Sequence, residues 1–225
     1  LIIKRAIIRI IGALTHRTFN NKRFNIEGTS LLNEIPNNNV LFISNHQTYF
    51  YDVIAMLHVF NASVNGRRDS LKNILYLLKP KTNIYFIAAL ETMKSSLIPK
   101  ILSYAGSILI KRTWREAGKD INRAIRGKDF DNILKALNDG WVITFPRGTT
   151  DSSKPVRSGT AYIIKTTNPI VIPVKIDGFG DVFKKNSLKI KNKNKPFSIK
   201  FGDPLKFYDN ESIESITNQI EKIID

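Results

Sequence analysis

The stretch NVLFISNHQTYFYDVIAMLHVF, residues 39–60, changes its periodicity partway through. Residues 39–45 read as a buried strand built on the apolar run 40–43, whereas from Asp52 onward Val53, Leu57 and Phe60 recur at helical spacing. Between the two lie His46 and Asp52, six positions apart. On one helix that separation is a rotation of about 240° and puts the two side chains on nearly opposite faces. They can meet only if a turn follows the strand. Asp52 then starts the helix, where a carboxylate is favoured by the unpaired N–H groups.

The same alternation continues along the chain. NIYFIAAL (83–90), SILIKR (107–112), WVITFPRG (141–148), PIVIPVKIDG (169–178) and FSIKFGD (197–203) read as further strands. Between them, SLIPKILSYAG reads as a short helix. Phe130, Ile133, Leu134 and Leu137 make a helical stripe that Gly140 ends, and a final helix carries Ile213, Ile216, Ile220 and Ile223 on one face. Strands alternating with helices predict an α/β fold with a mostly parallel or mixed sheet covered by helices. At 225 residues, one domain spanning 1–225 is expected. In such sheets ligands gather outside the carboxyl ends of the strands, where NHQTYFYD, IKRTW and FPRGTT all fall.

Residues 1–20 read as a basic amphipathic helix. Lys4, Arg5 and Arg9 interrupt its apolar run well before the roughly 20 residues needed to span a bilayer. Such a helix either caps the protein's own core or lies in a lipid headgroup layer. The formal charge of +16 points to an anionic partner, and seven lysines fall between 184 and 200. The basic residues are dispersed and no nucleic-acid motif is recognisable, so no nucleic acid is expected as partner. Cysteine is absent, which removes thiolate chemistry and thiolate metal sites, and no His/carboxylate cluster has metal-ligand spacing.

A carboxylate on one ring nitrogen of His46 would fix the tautomer and leave the other nitrogen to accept a proton from a substrate hydroxyl. The bland alternative is a histidine bonded within its turn and an aspartate that only caps a helix. Four blocks in order, SNHQTYFYD, GSILIKR, FPRGT and VIPV, resemble the glycerolipid acyltransferase family that includes lysophosphatidate acyltransferases. The resemblance covers about residues 40–175. It implies acyl transfer from acyl-CoA or acyl carrier protein to a lysolipid hydroxyl, without a cofactor, at an anionic membrane surface. The expected location is peripheral, on the cytoplasmic face.

In that family His46 corresponds to the general base and Asp52 to its orienting partner. Arg112, with Lys111 beside it, is a candidate for holding an anionic headgroup. Pro146, Gly148 and Thr149 match the third block, whose turn lets backbone approach a ligand closely. Two departures stand out. Five residues separate His46 from Asp52 where the family has four. The third block reads FPRGTT, so Arg147 replaces the family's glutamate and Thr150 its arginine. Arg147 is the candidate replacement for the missing phosphate contact. The departures also raise two other readings: an acceptor that is a lyso form of an amino-acid-containing lipid, and a catalytically weakened relative that binds lipid without turnover.

Overall fold

The computed structural model describes residues 1–94, 97–111, 115–116, 119–120 and 127–225. The strands are β1 (Phe24–Glu27), β2 (Val40–Ser44), β3 (Ile84–Ala89), β4 (Ser107–Ile110), β5 (Arg115–Glu116), β6 (Lys119–Asp120), β7 (Trp141–Thr144), β8 (Ile170–Asp177) and β9 (Phe197–Phe201). The helices are α1 (Ile2–Phe19), α2 (Tyr51–Val64), α3 (Leu90–Lys94), α4 (Leu97–Ser103), α5 (Lys128–Asp139), α6 (Ser158–Thr167), α7 (Phe179–Val182) and α8 (Ile213–Ile224). Among the described residues seven strands form one sheet in the order β1-β9-β8-β2-β7-β3-β4, and β5 pairs with β6.

From β8 across to β4 the strands run parallel, with β2 between β7 and β8. β9 lies antiparallel to β8, and β1 runs parallel to β9, so the sheet is mixed. Its central strand β2 is buried throughout, and apolar from Val40 to Ile43, because helices cover both faces. Val40 and Phe42 of β2 pack toward α1 and α2, in a cluster with Phe60 and Trp141. Leu41 and Ile43 face the other way, into the cluster with Ile133 and Leu137 of α5, Ile164 of α6 and Ile220 of α8. This is the period-two alternation of a pleated strand.

β1 is an additional strand to those read from the sequence. α2 also departs from a single apolar stripe: residues 51 to 63 are buried throughout, because the helix lies between the sheet and α1. Gly140 does end α5, and its Cβ position would fall 1.8 Å from the Asn83 carbonyl oxygen, so no side chain fits where β7 begins.

The N-terminal helix caps the protein's own core along one face and leaves apolar residues exposed along another. Ile8, Gly12, Thr15 and Phe19 form its buried stripe, while Leu1, Ile2, Ile3, Ile10 and Leu14 stay exposed. No described helix is long and apolar enough to cross a membrane.

Candidate active site

β2 ends at Ser44 and α2 begins at Tyr51, so residues 45–50 form the turn that brings the histidine back onto the helix. His46 Nδ1 lies 2.8 Å from Asp52 Oδ2. The extra residue between them is taken up in this loop, where it does not change the phase of any helix. Asp52 is fully buried, yet every direction around its carboxylate is supplied with donors. Oδ2 accepts from the Gln47 N–H at 2.7 Å, and Oδ1 accepts from the Thr48 hydroxyl at 2.5 Å; the Thr48 N–H reaches both oxygens at 3.1 Å. Asp52 also stands in the first turn of α2, where the helix dipole favours negative charge.

A carboxylate so held accepts from Nδ1–H, which leaves the lone pair on Nε2. The imidazole stacks on Phe145 at 4.0 Å between centroids and 23° between planes. Asn45 fixes the strand end beneath it: its side chain accepts from Ile176 N–H at 2.8 Å and donates to the Ile176 carbonyl at 2.7 Å, tying β2 to β8. Gln47 donates to the same carbonyl at 3.2 Å. The imidazole is thus positioned by the sheet, the helix and an aromatic plate.

His46 lines an open cleft of about 1480 Å³. One arm is apolar, walled by Val53, Ile54 and Leu57 of α2, Phe86 of β3, Met93 of α3 and Leu102 of α4. The other arm is polar and is bounded by residues 148–151, by Lys154 and Arg157, and by Ser158, Gly159 and Thr160 in the first turn of α6. That turn carries no acidic residue, and its N–H groups point toward incoming negative charge, as at any helix start. Thr144 Oγ1 meets Thr160 Oγ1 at 3.4 Å and holds α6 to the end of β7.

The third block supplies two of the expected residues to this arm. Gly148 has φ +64°, which favours glycine, and its N–H closes a tight turn on the Phe145 carbonyl at 2.8 Å. Thr149 lines the cleft, and its hydroxyl accepts from the Asp151 N–H at 3.2 Å. Arg147 goes elsewhere. Its side chain is 8% exposed and turned toward α8, where it binds Glu221 at 3.3 Å, Asp225 and the Lys154 carbonyl. It does not line the cleft, and its place in the structure is that of an anchor between the 146–157 loop and α8.

Lys111 is exposed at the end of the edge strand β4, outside the cleft lining, with its N–H on Asp129 at 3.0 Å. Arg112 lies outside the described residues. His58 is buried in α2, away from the polar arm: Nε2 meets Thr15 Oγ1 at 2.8 Å and Nδ1 meets the Tyr76 hydroxyl at 2.6 Å. Among the described residues no group of three or more His or carboxylate side chains is placed to hold a metal.

The contacts of Thr48 with Asp52 and of Phe145 with His46 were not disclosed by the linear pattern, since a threonine in a turn and a phenylalanine after a strand are ordinary residues. Asn45 had a signal, its place beside His46 in the first block.

A partly exposed histidine held by a buried aspartate thus stands at the carboxyl end of a central parallel strand and opens on a cleft lined by both apolar and polar residues. The acyltransferase family model matches residues 23–177, and the chain belongs to that family. The fold is similar to the crystal structure of the 1-acyl-sn-glycerophosphate (LPA) acyltransferase PlsC from Thermotoga maritima, with a TM-score of 0.56 and 18% identity over 98% of this chain and 76% of that one. A search of curated proteins finds no match.

Proposed function

We propose that this acyltransferase moves a fatty acyl group from a thioester, acyl-CoA or acyl carrier protein, to the hydroxyl of a lysolipid of the 1-acylglycerol-3-phosphate type. The observation that carries the reading is the 2.8 Å contact of His46 Nδ1 with the buried Asp52, in a cleft lined by both apolar and polar residues. His46 Nε2 takes the proton of the acceptor hydroxyl as the oxygen attacks the thioester carbonyl carbon. Asp52 stabilises the imidazolium that forms. The tetrahedral oxyanion is met by N–H donors, for which the first turn of α6 is the best-placed source. Collapse breaks the C–S bond, and the imidazolium returns its proton to the departing thiolate. The acceptor gains an ester and the donor leaves as a thiol, so atoms and charge balance without a cofactor.

The apolar arm suits the acyl chain, and the polar arm, with Lys154 and Arg157, suits the acceptor headgroup. The turning of Arg147 toward α8 removes one cation from that arm and favours comparison with lysolipids of lower negative charge, including amino-acid-containing ones.

The acceptor would be drawn from a bilayer on which the protein rests at the cytoplasmic face. Support comes from the exposed apolar residues of α1 with Arg5 and Arg9 among them, and from neighbouring exposed Leu75, Leu78, Ile101 and Tyr104. The Arg9 guanidinium binds the Leu78 carbonyl, and Lys4 donates to the Ile84 carbonyl at 2.8 Å, which joins α1 to this surface. The test is conversion of lysophosphatidate and other lysolipids to diacyl products with each donor. The reading predicts product with the wild type and none above background with His46→Ala; a folded His46→Ala protein that transfers acyl groups at the wild-type rate refutes it.

A further inference from the structure

The segment between α7 and β9 carries Lys184, Lys185, Lys189, Lys191, Lys193 and Lys195, all exposed. Residues 182–200 contain no acidic residue and no arginine. The segment is folded back on itself by a bridge between Phe183 and Ile190, with Lys184 N–H on the Lys189 carbonyl at 3.0 Å and Lys191 N–H on the Val182 carbonyl at 2.7 Å. It is also bonded to the block that holds His46. Tyr49 N–H donates to the Lys185 carbonyl at 2.8 Å, the Tyr51 hydroxyl donates to the Leu188 carbonyl at 2.7 Å, and buried Phe183 stacks on Tyr51 at 3.8 Å.

Tyr49 and Asp151 both line the cleft; the strap is bonded to Tyr49, and the charge of Lys185 acts on Asp151. The Asp151 carboxyl is held below its usual range first by its bonds to Ser153 and then by the charges of Lys154 and Lys185. The strap therefore sits on the rim of the cleft, beside the catalytic turn.

Six like charges in a strap that itself contains no acidic residue create a strong local positive potential. A bilayer-seeking surface adds apolar side chains to its cations, as on α1 with Ile2, Ile3, Ile10 and Leu14 exposed; here Leu188, at 36% exposure, is the sole large apolar side chain exposed among residues 183–196. A built phosphate site converges guanidinium forks or backbone N–H groups on one point. The strap instead spreads separate ammonium groups over its length, the arrangement that matches the acidic face of a protein.

We propose that the lysine strap 184–195 docks an acidic acyl carrier protein and so places its thioester at the cleft beside His46. The inference rests on the acyl-transfer reading, and names the partner that would bring the acyl group to this rim.

The test uses the full chain and the triple variant Lys189→Glu, Lys193→Glu, Lys195→Glu, with circular dichroism and melting curves to show that the fold is retained. With acyl carrier protein as donor, KM should rise at least about tenfold with kcat little changed, while the same acyl chain on CoA is used within about twofold of wild type. The wild-type KM for the carrier donor should also rise with salt, and that of the variant less so. An equal effect on both donors, or on neither, overturns the strap as a carrier dock. A wild type that uses acyl-CoA but not the carrier donor also overturns it, and leaves acyl transfer standing. Absence of transfer with either donor removes the functional reading instead; anisotropy of labelled holo carrier protein then decides the strap directly, with at least about tenfold weaker binding by the variant expected and equal binding overturning it. Loss of association with phosphatidylglycerol vesicles while carrier binding persists assigns the strap to lipid and overturns the proposal.

Discussion

Asp52 holds the Nδ1 edge of His46 at 2.8 Å from inside the first turn of α2, with three N–H and O–H donors of residues 47 and 48 filling the rest of its carboxylate. The pair depends on the turn between them, and the turn is stabilised by the same carboxylate.

Asp52→Asn tests the tautomer argument. An amide presents an NH2 group that must face either the Nδ1–H or the donors of residues 47 and 48, so the ring loses its fixed orientation. Acyl transfer should fall by about 10²-fold to 10⁴-fold, mostly in kcat, with the acceptor KM little changed. Steady-state kinetics on protein shown to be folded checks this, and a variant within threefold of wild type contradicts it.

Arg147 should matter for the loop, and through it for the acceptor. Arg147→Ala removes the tie between residues 146–157 and α8, which Glu221 reinforces by accepting the Val156 N–H at 3.3 Å. Glu221 and Asp225 are 36% and 59% exposed, so solvent discounts the ion pairs and the expected loss is about 1–3 kcal/mol. Denaturant unfolding measures it. The acceptor KM should rise more than the donor KM, because the loop bounds the polar arm; a fall in stability with both KM values unchanged would restrict Arg147 to the fold.

Acid should weaken the attachment of α1. Thr15 gives its hydroxyl proton to the Ile11 carbonyl, so it accepts from His58 Nε2–H; the Tyr76 hydroxyl then donates to His58 Nδ1 and accepts from His16 Nδ1–H. That chain is complete only with His58 neutral. Burial first, and the His16 charge second, lower its pKa to about 3 from 6.5. The unfolded chain therefore binds the extra proton first, and stability present above about pH 6.5 is lost as pH falls toward about 3, at about 1.4 kcal/mol per pH unit. His16 shifts in the same direction, by burial and then by the Arg67 charge. Melting temperature measured from pH 7 to pH 5 should fall, and His58→Gln should flatten the dependence.

The exposed apolar face of α1 can be tested without the active site. Ile10→Ser with Leu14→Ser leaves the buried stripe of Ile8, Gly12, Thr15 and Phe19 intact, so stability should change by less than about 0.5 kcal/mol. Association with anionic vesicles should weaken by about tenfold or more, read by flotation. Unchanged flotation would assign bilayer contact to another surface.

The strands with strong apolar runs and the helices with clear stripes were legible in the residues themselves, because burial between helix layers demands those patterns. β1 was not. Its four residues, Phe24–Glu27, pair only with β9 at the sheet edge, and so short a segment has no distinctive period. Of the candidate site, His46, Asp52, Gly148 and Thr149 were readable as motif residues and meet the cleft or its carboxylate. Arg147 was readable only as a cation; its direction was set by two acidic residues more than 70 positions away.

By itself, the order of residues determined that a strand would turn into a helix with a histidine on one side of the turn and an aspartate on the other. Local pattern suffices for that, since backbone period and helix-start chemistry act over a few residues. Only the tertiary structure decided that the intervening loop could absorb one residue more than the family carries, that Phe145 would support the imidazole, that Arg147 would face α8, and that the lysine strap would be bonded to the turn after His46. Those outcomes depend on contacts between segments distant in the chain, whose free energy no local window contains.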